Sequence, residues 1–131
     1  MRPDDATEAD LIEVLDRFCS GFADRDADAV LGLFVPDPGV VVVTSEQPLL
    51  RGPVELRRFL HRYVQGPTTF SWKWDRHDVS TAASVAWLLA EGTETAAADD
   101  HVEHHPYRMT MVLECRENRW LLSQVHGSSP H

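Results

Sequence analysis

The hydrophobic period changes once along this chain of 131 residues, and that change constrains the fold more than any single motif. In the first part the spacing is helical. Leu11, Ile12, Leu15, Phe18, Cys19 and Phe22 fall on one stripe. Thr7 followed by Asp10 offers a capping-box-like start. Gly21 interrupts the stripe at a cost of about 1 kcal/mol relative to alanine, which points to close packing there. "DRDADAVLGLF" predicts a short second helix, capped by Asp26 and burying Val30, Leu33 and Phe34, and "VPDPG" ends it. Val40–Thr44 is β-branched and reads as a strand. "SEQPLLRG" reads as a loop or a short hairpin. "GPVELRRFLHRYV" predicts a third helix, with Pro53 in its first turn and Leu56, Phe59, Leu60, Tyr63 and Val64 at helical spacing. Gly66-Pro67 stops it. From Thr68 onward the period is two. Thr68–Val79, Ser84–Thr95, Tyr107–Glu114 and Arg119–Val125 each predict a strand. "CREN" is a hairpin turn, and "AAADDHVEHHP" is a longer polar connection.

Helices first and a meander afterwards imply an α+β protein: three N-terminal-half helices packed on one strongly curved mixed, mainly antiparallel sheet, a cone-shaped α+β barrel. The length suits a single domain over residues 1–131, with residues 1–7 expected as a disordered tail. The strands carry apolar residues on both faces. A sheet that is apolar on both sides needs two covers. The helices supply one, and a second subunit is expected to supply the other, as a homodimer.

Charge narrows the partners. Twelve Lys and Arg stand against 21 Asp and Glu, a net charge of −9. No basic face is available for a duplex, so nucleic acid is not an expected partner. Apolar runs such as "VVVV" at Val40–Val43 are too short to span a bilayer, so no membrane association is expected. The acidic "MRPDDATEAD" lacks a signal-peptide core. Cys19 and Cys115 lie in apolar-patterned segments and read as reduced core thiols, so a soluble cytoplasmic protein is expected.

Strand parity proposes the site. Arg108, Thr110 and Val112 share one face, and Tyr107, Met109, Met111 and Leu113 the other. Trp120, Leu122, Gln124 and His126 line up together, as do Trp87, Leu89 and Glu91. A sheet curved around helices leaves an open-ended cone. Its few polar residues would stand out, and Arg108, Glu91, Gln124 and His126 are the candidates. An apolar cavity with a few convergent polar groups is a typical small-ligand site.

The stretches "FADRDADAVLGLFVPDPGVVV", "RGPVELRRFL" and "YRMTMVLECRENRWLLSQVHGSSP" resemble the SnoaL-like branch of the nuclear-transport-factor-2-like superfamily, which includes ketosteroid isomerase-like and polyketide cyclase-like proteins. The closing strands also resemble the association domain of calcium/calmodulin-dependent kinase. The resemblance covers roughly residues 8–130 and implies the fold described above. It implies that Arg108 and Leu89 point into the pocket, and parity then takes Trp87 and Glu91 with them. His126 and Ser128 match a closing His-x-Ser beside the cavity and dimer edge. The superfold hosts isomerases, cyclases, dehydratases, hydrolases and binding modules alike. Ketosteroid isomerases place a carboxylate base on the first strand and a tyrosine–acid pair opposite it. Here the matching strand has no carboxylate before Glu46, and the helix-one position is filled by Phe18 or Phe22, so both phenylalanines are expected to contact the ligand.

Arg108 therefore reads either as half of a structural pair with Glu91 or as a contact to an anionic ligand. His126 reads either as an acid–base group or as a structural histidine bonded to Ser128 or backbone. Of the tryptophans, Trp87 is expected in the pocket, and one sheet face with Trp72 and Trp74 at a subunit interface. His101, Glu103, His104 and His105 have zinc-like spacing but sit in a polar stretch, so a solvated loop and no metal are expected. No nucleophile elbow and no phosphate-binding glycine loop occur, and no cofactor is expected. Two functions remain open. One is a dimeric binder of a small molecule, with Arg108, Trp87, Phe18, Phe22, Leu89 and Gln124 as ligand contacts. The other is an isomerase, cyclase or dehydratase acting on a small carbonyl-containing or polycyclic substrate, with His126 or Glu91 as acid/base. A purely structural dimerisation module is a third, weaker fit.

Overall fold

The structure is a computed structural model that describes residues 1–44 and 49–130. The first helix, α1, spans Asp5–Ala23. Its cap is Asp4, whose carboxylate accepts the Thr7 backbone N–H at 2.8 Å. That bond satisfies one of the orphan donors at the helix start. The cap therefore lies three residues before Thr7, and residues 5–7 are helical rather than part of an unstructured tail. Leu11, Val14, Leu15, Phe18 and Phe22 form the buried stripe.

Asp26 caps α2, Ala27–Leu31, as its spacing predicted. Val30 explains Gly21: a Cβ on Gly21 would stand 2.6 Å from a Val30 methyl. The third helix, α3, spans Gly52–Gln65 and buries Leu56 and Leu60.

Six strands follow the order β2-β1-β6-β5-β4-β3 across one sheet. They are β1 Val41–Val43, β2 Leu50–Arg51, β3 Thr68–Ala82, β4 Val85–Ala98, β5 His101–Arg116 and β6 Arg119–Ser128. Among the described strands β1 pairs with β6 in parallel and the other pairings are antiparallel. The three helices pack on this mixed sheet, as expected. The sheet ends at β2 and β3 rather than joining them, so it curves without closing into a barrel. β2 pairs antiparallel with β1, the hairpin arrangement allowed by "SEQPLLRG". Residues 45–48, including Glu46, lie outside the described residues.

The three long hairpins turn tightly. Glu117 and Asn118 both take positive φ, the backbone that a twisted two-residue hairpin turn requires. The expected polar connection after Ala98 shrinks to Asp99–Asp100, and "HVEHH" belongs to β5. Backbone pairing with the extended end of β4 overrides its polar composition, because every strand N–H and C=O needs a partner.

Two irregularities set which side chains face the helices. The register of β3 on β4 slips between Trp74 and Arg76. That of β5 on β6 slips between Val112 and Leu113, leaving Ser123 as the extra residue on β6. Each bulge reverses the alternation beyond it. The inner face thus carries Phe70, Trp72 and Trp74 of β3, then His77 and Val79 after the bulge. On β6 it carries Leu122, then Val125 and Gly127. Among the described residues no helix is long and apolar enough to cross a membrane.

Candidate functional site

A cavity of about 360 Å³ lies between α1, α3 and the inner face of the sheet. Its size falls in the range of small-molecule pockets. The helical stripe of α1 delivers Phe18 and Phe22, α3 delivers Tyr63, and β3 delivers Phe70 and Trp72. Phe22 meets Trp72 edge-on with ring centroids 5.4 Å apart, and meets Tyr63 at 5.1 Å. Trp72 also lies 6.2 Å from Tyr107 of β5. These are favourable offset and edge contacts between rings.

One charged side chain is set among them. Glu94 of β4 is 6% exposed, and among the described residues it is the one charged or polar residue in the buried core. The indole N–H of Trp72 donates to its Oε2 at 3.0 Å, across the Trp72–Glu94 pair of the β3–β4 ladder. A carboxylate removed from water needs such donors.

Tyr63 is held in both directions. Its hydroxyl donates to the Phe22 carbonyl at 2.9 Å and accepts the Phe70 N–H at 2.7 Å. Burial pushes its phenol above the ordinary value. Arg25 secures the neighbouring backbone. Its guanidinium donates to the carbonyls of Tyr63, Val64, Gly66 and Thr68 and sits over the Tyr63 ring at 5.5 Å. A cation at the last carbonyls of a helix satisfies them and complements the dipole. Arg62, an exposed residue, and Pro67 and Thr68 also border the cavity.

Of the residues expected at the site, Phe18 and Phe22 line this cavity. Trp87, Leu89, Glu91, Arg108, Gln124 and His126 do not, and the expectation that they face inward is corrected. They stand together on the opposite face of the sheet. Glu91 pairs across strands with Arg108, Trp87 with Val112, and Leu89 with Thr110. Thr110 and Val112 pair in turn with His126 and Gln124. Arg108 Nε lies 3.8 Å from Glu91 Oε2, with the side chains 58% and 42% exposed. That is a surface ion pair rather than a buried charge awaiting a ligand.

The reasons are geometric. On β4 the small inner residues Ala86 and Ala90 flank Leu88 under the helices, leaving the bulky Trp87 outside, 46% exposed. On β6 the extra residue Ser123 turns Gln124 and His126 out and brings Val125 and Gly127 in. Trp72 and Trp74, expected in part at an interface, lie inside instead. Trp74 donates its indole N–H to Cys19 Sγ at 3.3 Å. Met109 and Met111 are buried there too.

Sequence reading missed Glu94, Tyr63, Trp72 and Tyr107 as cavity residues. One signal pointed to them: a glycine inside a strand, Gly92, marks a bulge or a close backbone approach. It shares its face with Glu94. In the His-rich segment His101, Glu103 and His105 share one face of β5, with Glu103 3.7 Å from His105, and His104 is on the other; among the described residues no group of three or more could hold a metal ion. His104 bonds Thr95 Oγ1 at 2.9 Å, while its neighbours His101 and Glu103 bond each other at 3.0 Å.

This arrangement can enclose a flat apolar molecule and offer it one carboxylate. Comparison with solved structures gives the same fold. A supposed dehydratase of the nuclear transport factor 2-like family from Streptomyces avermitilis superposes with a TM-score of 0.88 at 14% identity, covering 98% of this chain and 99% of that one. A nuclear transport factor 2-like superfamily protein from Salmonella enterica gives 0.86 at 18% identity, over 98% and 94%. A ketosteroid isomerase-like protein from Erwinia carotovora gives 0.73 at 20% identity, over 94% and 95%. No curated protein sequence matches the chain. The sequence pattern of the SnoaL-like domain matches residues 11–131, nearly the whole chain, and the protein therefore belongs to the SnoaL-like domain family.

Proposed function

We propose that the protein binds a small, flat, largely apolar molecule in the cavity between helices and sheet, and that it works as a homodimer. The observation that carries the binding reading is the cleft of about 360 Å³, walled largely by aromatic rings and bordered by one buried carboxylate. The dimer reading rests on the outer sheet face, where Trp87 is 46% exposed beside Leu89 and Val112. Exposed apolar patches of this kind mark association surfaces. An isologous pairing of two such faces would cover both. The free thiols Cys19 and Cys115 favour a reducing, cytoplasmic setting.

Native mass spectrometry tests both readings together. The expected result is a dimer that either releases a small mass on harsher desolvation or takes up one added 2-naphthylmethanol per chain. Trp87→Glu is expected to yield monomers. A monomer in the unmodified protein refutes the dimer, and failure to hold any small molecule refutes the binding reading.

A second reading is a proton-transfer enzyme of the isomerase, cyclase or dehydratase kind. One observation favours it: a carboxylate held against the cavity with little access to water, the setting of a general acid or base. The acid–base role passes from His126 to Glu94, because His126 is on the outer face. Turnover that survives Glu94→Gln in folded protein would refute it.

A further inference from the structure

We propose that the protein has a second ligand site, separate from the aromatic cavity. It is a groove where the end of α2, the start of α3 and the start of β6 meet. It takes a small amphiphilic oxyanion, with the apolar part on the groove floor and the charged head held by Arg57 and Arg119.

The segment that leaves α2 builds the groove. The Val35 N–H donates to the Leu122 carbonyl at 2.9 Å, and the Leu122 N–H donates to the Leu33 carbonyl at 2.8 Å. These bonds lay the segment along β6, and a space of about 390 Å³ remains between it, α3 and β6. Phe34, Val35, Val40 and Leu56 are the buried residues of its lining. Phe34 and Leu56 border the aromatic cavity as well, so the two spaces are neighbours.

The charge in this groove has one sign. Among the described lining residues every side chain is apolar except those of Arg57 and Arg119. Arg57 follows the buried Leu56 on α3, and Arg119 shares a face of β6 with Leu121, another lining residue. Both arginines are exposed, and among the described residues neither guanidinium has an ion pair. Acids that adjoin the groove are engaged elsewhere. Arg116 donates to Asp37, next to Pro36 of the lining, at 3.1 Å. Glu55 accepts the Arg51 backbone N–H at 2.8 Å. In a chain of net charge −9, two arginines on one apolar groove are a local reversal of sign.

That combination selects the ligand. A guanidinium presents paired N–H donors in a planar fork that matches a carboxylate or a phosphate. An anion set between two arginines also offsets their mutual repulsion. The apolar floor stabilises whatever apolar surface it removes from water, which calls for a short alkyl chain or ring behind the head group. The net charge of −9 opposes anions at long range, so the attraction here is local.

The test titrates the isotope-labelled full chain with octanoate, octyl phosphate and octanol at neutral pH, following assigned backbone amides by NMR. At least one of the two anions is expected to bind about fivefold or more tighter than octanol, and the tighter one names the head group. The amides of Gly32 and Leu121, which line the groove, are expected to move. Arg57→Gln and Arg119→Gln are each expected to weaken the anion about threefold or more and to leave octanol unchanged. Octanol binding as tightly as both anions overturns the proposal, as does no shift from any of the three. Shifts confined to Gly66 and Gly127, which line the aromatic cavity, overturn the groove and leave the cavity reading standing. Anion affinity unchanged in either folded variant overturns the paired role of the arginines. The amide spectrum reports whether each variant folds, and should one fail, the ranking and the shifts on the unmodified protein decide alone.

Discussion

Replacing Gly92 by alanine should be among the most damaging single-methyl additions in this protein. Gly92 pairs with Trp74 where the register of β3 slips, so the bulged backbone of β3 presses directly onto it. A Cβ at Gly92 would lie 2.0 Å from the Lys73 carbonyl oxygen, 2.8 Å from the Trp74 Cα and 3.0 Å from the Lys73 carbonyl carbon. All three are backbone atoms in a paired strand, so no rotamer change relieves the clash. Overpacking against movable side chains costs typically 1–3 kcal/mol. Displacing a hydrogen-bonded strand should reach the top of that range, about 3 kcal/mol or more. For a domain of this length that is a fall in Tm of about 12 °C. Gly39 is the internal control, since nothing lies within 4 Å of its hypothetical Cβ. Gly39→Ala should be neutral or stabilise by up to about 1 kcal/mol, through the unfolded chain. Urea unfolding followed by tryptophan fluorescence gives both values. A Gly92→Ala protein within about 1 kcal/mol of the parent would refute the placement of the bulge, and with it the facing of Trp72 and Glu94.

Arg25→Ala should cost about 2–3 kcal/mol in the same assay, because it strips a charged donor from the carbonyls that end α3 and start β3. Asp37 is bonded by Arg116 at 3.1 Å, and that guanidinium holds its carboxyl below the ordinary 3.8. A lowered folded-state pKa contributes stability above the unfolded value and loses it as pH falls through the folded one. Asp37→Asn should therefore be less stable than the parent at pH 7, and the difference should narrow as the pH falls below the ordinary 3.8; a gap that does not narrow on acidification would contradict this. Burial pushes the Cys19 thiol up to about 11. Iodoacetamide at pH 8 should leave Cys19 unmodified in native protein and alkylate it readily in urea, as mapped by peptide mass spectrometry; rapid native labelling would show the thiol is not enclosed.

Local chemistry wrote much of this protein into its sequence. The stripe from Leu11 to Phe22, the cap at Asp26 and Pro53 in the first turn of α3 are short-range signals, and the helices follow them. The alternation after Thr68 marks the strands, and helices preceding strands imply the α+β layout. The helical stripe placed Phe18 and Phe22 in the core, and the family resemblance at the helix-one position marked them as cavity residues. Alternation on a strand divides residues into two sets without saying which set meets the helices. The Trp87–Leu89–Glu91 set and the Arg108 set were separated correctly and yet lie on the outside. Only packing chose, by placing the small Ala86 and Ala90 under the helices. A single extra residue in β6, Ser123, then broke the parity linking Leu122 to His126. Such a bulge is a relation between two strands, decided when their ladders are brought together. The partnership of Glu94 with Trp72, 22 residues apart and bordering the cavity, exists only in that register.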